Sequence, residues 1–227
     1  MSIFRLSKKN LAFPDPNFAE KDGFLAVGGD LTPERIILAY QSGIIPWYNQ
    51  EDPILWWSPN PRCVLKPENI QVSKSMEVII KKNAFNLTYN QDFKSVITNC
   101  AQTPRKGEMG TWLTNEMIEA YCYLHTLGFC HSVEVWKEEK LIGGLYGGAL
   151  GKVFFGESMF SHQANSSKIA LIFLAKLLAK NNFTLIDCQV ETSHLISLGA
   201  ELMPRKTFLK ILKENDTNFI NLNLLAL

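Results

Sequence analysis

Two short segments carry the polar residues that could act in catalysis among otherwise apolar neighbours. The first, Gly156-Glu157-Ser158, follows an apolar run that ends at Phe155. Glycine permits a tight change of direction, so we expect a strand to end at Phe155 and a turn to follow. Glu157 would then line an apolar cavity, next to a helix that opens at Ser166 and whose free N–H groups could favour an anion or oxyanion. A surface carboxylate in a turn is the alternative that the pattern leaves open.

The second segment is Leu185-Ile186-Asp187-Cys188-Gln189-Val190, which has the composition of a buried strand. Side chains alternate along a strand, which predicts that Asp187 and Gln189 share one face and that Cys188 points to the other. A carboxylate on an interior strand is unfavourable unless it is paired or functional. A structural aspartate bonded to backbone donors and a functional acid fit this pattern equally well. Cys188, pointing away, is predicted to be a core thiol and not a nucleophile.

Aromatic residues are concentrated in a third region, between Pro46 and Pro59, with Trp47, Tyr48, Trp56 and Trp57. Clustered tryptophan and proline are typical of a packed interface between subdomains. The same residues could also form a pocket wall or a platform on which a base stacks, and these interpretations are compatible. Trp112 joins a polar loop to a helix, and we expect it to be partly exposed.

Several chemistries are not supported by the sequence. The four histidines have no metal-ligand spacing and no Ser-His-Asp arrangement is evident, so no metal and no triad are assigned. Five cysteines without a C-x-x-C pair indicate reduced thiols in a cytoplasmic protein. A net charge of +1 allows a nucleic-acid partner only over a small or locally basic footprint. We expect no membrane association, because the apolar stretch from Ile169 to Leu178 is too short to span a bilayer.

These residues must be positioned by an α+β fold. Residues 1–62 are rich in proline and glycine and contain one clear helix, with Thr32 as its cap, Pro33 at its first position and Gly43 at its end. We interpret them as a small N-terminal domain. Residues 63–227 predict a mixed, mostly antiparallel sheet flanked by helices, in the order expected of an N-acetyltransferase-type domain. The predicted helices are 73–82, 92–102, 115–127, 166–180 and 204–215, and the predicted strands are 63–65, 85–89, 131–136, 140–145, 152–155 and 183–190.

Several longer strings carry a resemblance to a known family. They are Gly28-Gly29-Asp30-Leu31, Gly43-Ile44-Ile45-Pro46-Trp47, Pro53-Ile54-Leu55-Trp56-Trp57-Ser58-Pro59, Gly110-Thr111-Trp112, Gly156-Glu157-Ser158-Met159-Phe160-Ser161 and Leu185-Ile186-Asp187-Cys188-Gln189. Together they resemble the bacterial leucyl/phenylalanyl-tRNA–protein transferases over nearly the whole chain, from Leu6 to about Leu212.

The resemblance implies an aminoacyltransferase with an N-acetyltransferase-like (GNAT-like) catalytic domain. Its reaction would move Leu, Phe and, less well, Met from aminoacyl-tRNA to proteins that begin with Arg or Lys, which marks them for degradation through the N-degron pathway. It implies a monomer without cofactor or acyl-CoA, and the segment before the 166–180 helix indeed lacks a glycine-rich pyrophosphate loop. The implied aminoacyl pocket consists of Leu145, Phe154, Met159, Leu171, Leu174 and Ile186.

The same resemblance implies two aromatic site residues, and the chemistry of ester aminolysis leads us to a hypothesis for the polar ones. Trp47 and Trp112 would hold the terminal adenosine and the aminoacyl end. Asp187 and Gln189 would orient the attacking amine and relay its proton, and Glu157 would hold the amine or the cationic side chain of the acceptor. Two alternatives stay open: an acyl-CoA-dependent small-molecule N-acyltransferase on the same fold, and a tRNA- or peptide-binding module without catalysis.

Overall fold

The computed structural model describes residues 3–82, 84–103 and 113–217. Over these ranges, the N-terminal part forms a small sheet of four strands in the order β1-β2-β4-β3. Helix α1 begins at Pro33, as the sequence predicts, and connects β2 to β3. Thr32 precedes it as expected, but its side chain makes no capping hydrogen bond. The bounds of this part are β1 (Phe4–Leu6), β2 (Phe24–Gly28), α1 (Pro33–Gln41), β3 (Ile45–Pro46) and β4 (Leu55–Trp57).

A larger sheet of seven strands, counted over the same ranges, forms the rest of the molecule in the order β11-β5-β10-β9-β8-β7-β6. Its neighbours are antiparallel except for β9 and β10, which are parallel. The predicted α+β class with a mixed, mostly antiparallel sheet is therefore confirmed. The strands are β5 (Arg62–Leu65), β6 (Asn86–Tyr89), β7 (Cys130–Lys137), β8 (Lys140–Leu150), β9 (Val153–Ser161), β10 (Leu185–Gln189) and β11 (Glu201–Met203).

Helices cover both faces of this sheet, and most begin at a residue that caps them. Ser73 and Asp92 accept backbone hydrogen bonds at the starts of α2 and α3. The cap of α4 is Thr114, because its hydroxyl accepts from the N–H of Met117. The helices are α2 (Lys74–Lys81), α3 (Phe93–Gln102), α4 (Asn115–Thr126), α5 (Ser166–Lys180), α6 (Ser193–Ile196) and α7 (Arg205–Glu214).

The two faces of the larger sheet bury different cores. Leu145 and Phe154 point to the face covered by α5, whereas their neighbours Tyr146 and Phe155 point to the face covered by α1, α3 and α4. Trp56 of the small sheet belongs to this second core, so the small sheet and the larger one share buried surface. The division into domains 1–62 and 63–227 stays a prediction, and Arg62 itself is already part of β5.

The predicted turn at Gly156 is wrong. Strand β9 continues through it to Ser161, and the irregularity is a bulge: Tyr146 pairs with Ser158 and Gly147 pairs with Gly156, which leaves Glu157 without a partner in β8. Glycine is required at position 147, because a Cβ atom there would collide with the carbonyl oxygen of Phe155. Strand β8 accordingly runs to Leu150, beyond its predicted end at 145.

Candidate active site

A cavity of about 540 Å³ lies where β9 and β10 separate. Their pairing runs from Leu185 opposite Val153 to Asp187 opposite Phe155 and goes no further along the described strands. Beyond it, residues 156–159 of β9 and residues 188–190, after the paired part of β10, all line the cavity. The gap between these parallel strands therefore connects the two faces of the sheet.

The apolar end of the cavity contains all six residues of the implied aminoacyl pocket. They come from β8, β9, α5 and β10, and they are Leu145, Phe154, Met159, Leu171, Leu174 and Ile186. Five of them are fully buried in the α5-side core and Met159 packs against it. Since these side chains offer no charge and no strong hydrogen-bonding group, this end can accept an apolar side chain.

Trp47 forms part of the cavity wall at its open side and is 41% exposed. Its backbone is held by Trp57, whose indole Nε1 donates to the Trp47 carbonyl oxygen at 2.7 Å. The two rings lie 5.8 Å apart between centroids. A flat aromatic surface is thus kept at the cavity mouth. Trp112, the other predicted aromatic contact, lies outside the described residues.

Glu157 reaches the face opposite to α5, because the bulge turns its side chain towards two tyrosines. The hydroxyl of Tyr40 in α1 donates to Oε1 at 2.6 Å, and that of Tyr121 in α4 donates to Oε2 at 3.2 Å. The two hydroxyls lie 2.7 Å from each other. Burial raises the pKa of Glu157 to about 7, against the effect of the tyrosine hydrogen bonds, which lower it. The carboxylate therefore changes charge near neutral pH.

Asp187 is fully buried and forms a bidentate ion pair with Arg62 of β5. Arg62 Nε donates to Oδ1 at 2.8 Å and Nη2 to Oδ2 at 2.6 Å. The third guanidinium nitrogen donates to the carbonyl oxygen of Gly43 at 3.2 Å, and the group lies 4.7 Å from the centroid of the Phe208 ring. Asp187 does not reach the cavity wall that the described residues form. Both carboxylate oxygens of Asp187 accept hydrogen bonds from Arg62, and the role of Asp187 in orienting the substrate amine stays a prediction.

Gln189 does line the cavity, and Asp187 fixes its backbone. The N–H of Gln189 donates to Asp187 Oδ1 at 3.0 Å, and its φ of 57° lies in the left-handed region. This conformation is unfavourable for a residue other than glycine and must be maintained by its surroundings. The side-chain Nε2 is buried and has no hydrogen-bond partner among the described residues. It is a donor that a bound substrate could use.

Cys188 packs against the core on the α5 side of the sheet and also lines the cavity. The carboxylate of Asp187 lies on the other side, with Arg62 and Phe208. The prediction that Cys188 points away from Asp187 into the core is therefore confirmed. A hydrogen bond with the Cys63 thiol and burial raise the pKa of the Cys188 thiol well above its ordinary value. The thiol stays protonated and is a poor nucleophile.

Sequence pattern did not indicate four further residues of this site: Tyr40, Tyr121, Tyr146 and His194. Tyr146 and His194 line the cavity, and each has a buried polar atom without a partner in the described part of the chain. Burial, and then the charge of Lys168, lower the pKa of His194. No sequence signal links Tyr40 or Tyr121 to Glu157, because the contacts join residues that are far apart in the chain.

The described ranges contain no group of three or more His, Cys, Asp or Glu side chains that could hold a metal ion. They also contain no helix with the length and apolar character needed to cross a bilayer.

Known proteins resemble this chain over nearly all of its length. The family profile "Leucyl/phenylalanyl-tRNA protein transferase" matches residues 64–213, and that of the family's N-terminal domain matches residues 29–60. A leucyl/phenylalanyl-tRNA–protein transferase from Flavobacterium johnsoniae is 56% identical over 90% of this chain and 97% of its own. One from Syntrophobacter fumaroxidans is 51% identical over 95% and 92%.

A solved structure, a GCN5-related N-acetyltransferase from Kribbella flavida, matches with 9% identity and a TM-score of 0.40 over 76% of this chain and 61% of its own. The two family profiles and the relatives with more than half of their residues identical agree with each other. The chain belongs to the leucyl/phenylalanyl-tRNA–protein transferase family.

Proposed function

We propose that this protein is an aminoacyltransferase that moves leucine, phenylalanine and, less well, methionine from aminoacyl-tRNA to the N-terminal amine of proteins beginning with Arg or Lys. The product would be marked for degradation by the N-degron pathway. One observation carries the proposal: an apolar cavity continues through the gap between β9 and β10 to a carboxylate, Glu157. The apolar side chain of the donor can therefore bind in the apolar end of the cavity, and the cationic side chain of the acceptor can bind next to Glu157.

The donor half is the apolar end of the cavity. A volume of about 540 Å³ exceeds that of one leucine or phenylalanine side chain, so it also leaves space for the ester and part of the terminal nucleoside. Trp47, at the mouth, offers a face on which the adenine ring can stack. Trp112 would contribute a second aromatic contact, as the family resemblance implies.

The acceptor half is the opposite face of the sheet, where Glu157 lies with Tyr40 and Tyr121. A guanidinium or ammonium group next to Glu157 would stabilise the ionised carboxylate and would in turn be stabilised by it. The gap between the strands then lies between the acceptor cation and the donor side chain. This is where the α-amine and the ester carbonyl must meet.

The reaction is the aminolysis of an ester. The nitrogen of the α-amine attacks the carbonyl carbon, a C–N bond forms, and the C–O bond to the tRNA breaks, while a proton passes from the amine to the departing tRNA hydroxyl. An α-amine has a pKa of about 7.7–8.0 and is partly unprotonated at neutral pH. Orientation and stabilisation of the developing oxyanion are therefore the main requirements of the step.

Gln189 is the side chain best placed for both tasks. Its unpartnered Nε2 can donate to the oxyanion, and its Oε1 can accept from the attacking amine and pass the proton on. Asp187 acts through Gln189: it holds the backbone N–H in the left-handed conformation while Arg62 holds Asp187. We therefore propose that Asp187 is a positioning residue and that Gln189 and Glu157 contact substrate.

We further propose that the protein works as a monomer in the cytoplasm and without a cofactor. All five cysteines are free thiols, which suits a reducing compartment. Aminoacyl-tRNA is itself an activated ester, so the reaction as written is balanced without acyl-CoA or a metal ion.

The decisive experiment measures transfer of labelled leucine from Leu-tRNA to a peptide that begins with Arg, with an N-acetylated copy of the peptide as the negative control. We expect Gln189→Ala and Glu157→Ala to lower the rate at least tenfold. Glu119→Gln, an exposed position on α4, is the matched control and should leave it unchanged. Wild-type rates in both Gln189→Ala and Glu157→Ala would refute the assignment of these residues to the active site.

Two further measurements on the same protein distinguish the two alternative functions. Stabilisation against thermal unfolding by acyl-CoA, without transfer from Leu-tRNA, would indicate a small-molecule acyltransferase. Binding of Leu-tRNA with no release of leucine would indicate a binding module.

A further inference from the structure

Tyr146 in β8 has a hydroxyl group that the proposed chemistry does not yet use. Its side chain is fully buried, it lines the cavity, and its hydroxyl has no hydrogen-bond partner among the described residues. A buried hydroxyl that is left unpaired is unfavourable, and such groups in proteins are usually satisfied by another group. A buried hydroxyl without a partner, on a residue that lines a cavity, can be satisfied by a bound ligand.

The position of Tyr146 places it in the same cluster as Glu157. Alternation along β8 directs it to the sheet face that also holds Tyr40 and Tyr121, opposite to the apolar pocket. Its ring meets that of Tyr121 edge to face, with centroids 5.6 Å apart. Burial, followed by the negative charge of Glu157, raises the pKa of Tyr146 well above the ordinary value of tyrosine. The group is therefore a neutral hydroxyl at all working pH values.

The three tyrosines differ in one respect. Tyr40 and Tyr121 each donate a hydrogen bond to Glu157, and their hydroxyls also contact each other. Each carboxylate oxygen of Glu157 thus already accepts one hydrogen bond from protein. A guanidinium group has five N–H donors, which outnumber the lone pairs that Glu157 has left. Some of these donors would need another acceptor. A further neutral acceptor beside Glu157 would complete the coordination of such a cation.

We propose that the hydroxyl oxygen of Tyr146 accepts a hydrogen bond from the cationic side chain of the acceptor's first residue, and that Tyr146 is a specificity-determining residue together with Glu157. This inference rests on the proposed function, since it assigns the acceptor to the Glu157 face. It predicts a stronger effect for Arg than for Lys, because the planar guanidinium presents several donors in fixed directions, whereas the ammonium group is a compact point charge.

The experiment uses Tyr146→Phe, which removes only the hydroxyl. Tyr89→Phe is the matched control: Tyr89, in β6, is 3% exposed, also has a buried hydroxyl without a partner in the described ranges, and is not at the cavity. Steady-state transfer is measured with peptides beginning with Arg or Lys at saturating Leu-tRNA, and with varied Leu-tRNA at saturating peptide.

We expect Tyr146→Phe to raise the KM for the Arg peptide roughly tenfold or more, the effect of losing one hydrogen bond to a charged group. The KM for the Lys peptide should rise less. The KM for Leu-tRNA and the kcat should stay within about twofold, and Tyr89→Phe should match wild type in every parameter. Titration of the Arg peptide by calorimetry, without tRNA, should show the same loss of affinity. Neither variant should have a lower Tm, since each loses an unpaired hydroxyl.

Three results would overturn the inference. One is an unchanged KM for the Arg peptide. Another is an equal loss of transfer to the Arg peptide and to hydroxylamine, a small acceptor without a cationic side chain, because the hydroxyl would then act on the donor ester. A third is the same loss in Tyr89→Phe. If Tyr146→Phe does not fold, Tyr146→Met, also without a hydroxyl, carries the comparison. Absence of transfer by the wild-type protein would instead refute the proposed function itself, and this inference with it.

Discussion

Replacement of Glu157 by Gln should change how the stability of the protein depends on pH. Burial raises the pKa of Glu157 from an ordinary value of 4.5 to about 7 in the folded protein. Between these two values the unfolded chain has released the proton and the folded protein still holds it. Stability therefore falls as the pH rises from about 4.5 to about 7, because the unfolded state binds fewer protons there. Glu157→Gln removes the titrating group and with it this loss.

The size of the effect follows from the two pKa values. At about 1.4 kcal/mol for each pH unit, the full difference is about 3 kcal/mol. Glu157 as a whole residue keeps some contact with solvent, which reduces this to about 1–3 kcal/mol. For a chain of this length, each kcal/mol corresponds to about 2–4 °C in Tm. We compare the free energy of unfolding of the variant with that of wild type at each pH. This difference should be about 1–3 kcal/mol more favourable to the variant at pH 8 than at pH 4.5.

The assay is urea unfolding of wild type, Glu157→Gln and Glu119→Gln at several pH values. All other titrating groups are common to these proteins, so the difference between variant and wild type isolates the substituted position. Glu119 is exposed on α4, so the difference in stability between Glu119→Gln and wild type should not change with pH. Two results for Glu157→Gln would refute the description of Glu157 as a buried carboxyl group held by Tyr40 and Tyr121. One is a difference in unfolding free energy from wild type that does not change with pH. The other is a difference that becomes less favourable to the variant as the pH rises.

Two further outcomes test the ion pair and the donor pocket. Asp187→Asn should destabilise the protein by about 3–5 kcal/mol in urea unfolding, because it leaves the buried guanidinium of Arg62 without its counter-charge; a loss below about 1 kcal/mol would contradict this. Leu174→Phe adds bulk at the apolar end of the cavity and should lower phenylalanine transfer about tenfold more than leucine transfer when both charged tRNAs compete. An unchanged ratio would show that Leu174 does not limit the donor side chain.

Local pattern predicted the secondary structure of residues 63–227 well, because caps and periodicity are local signals. Ser73 and Asp92 each cap the helix that the sequence indicates. The small sheet was not predicted: its strands are two to five residues long, too short for alternation to be visible. The pocket residues came from the family resemblance and not from pattern, and the structure brings them together at one cavity.

The polar part of the site could not be predicted, since it depends on departures from regular strand geometry and on distant contacts. A bulge, and not the predicted turn, sets the direction of the Glu157 side chain, and the backbone of Gln189 is left-handed, which strand alternation does not predict. Arg62 and Asp187 are separated by 125 positions and meet only because β5 and β10 are neighbours in the sheet. No local signal in the sequence encodes that neighbourhood.

The separation of the two strands also bears on how many residues are added to one acceptor. Under the proposed function, the acceptor presents a cation on the Glu157 face and the donor presents an apolar side chain on the α5 face. After one transfer, the first residue of the product is the apolar one, and it has no group that Glu157 would favour. The product is thus excluded from the position that its precursor occupied, and the addition is self-terminating without any separate stop signal.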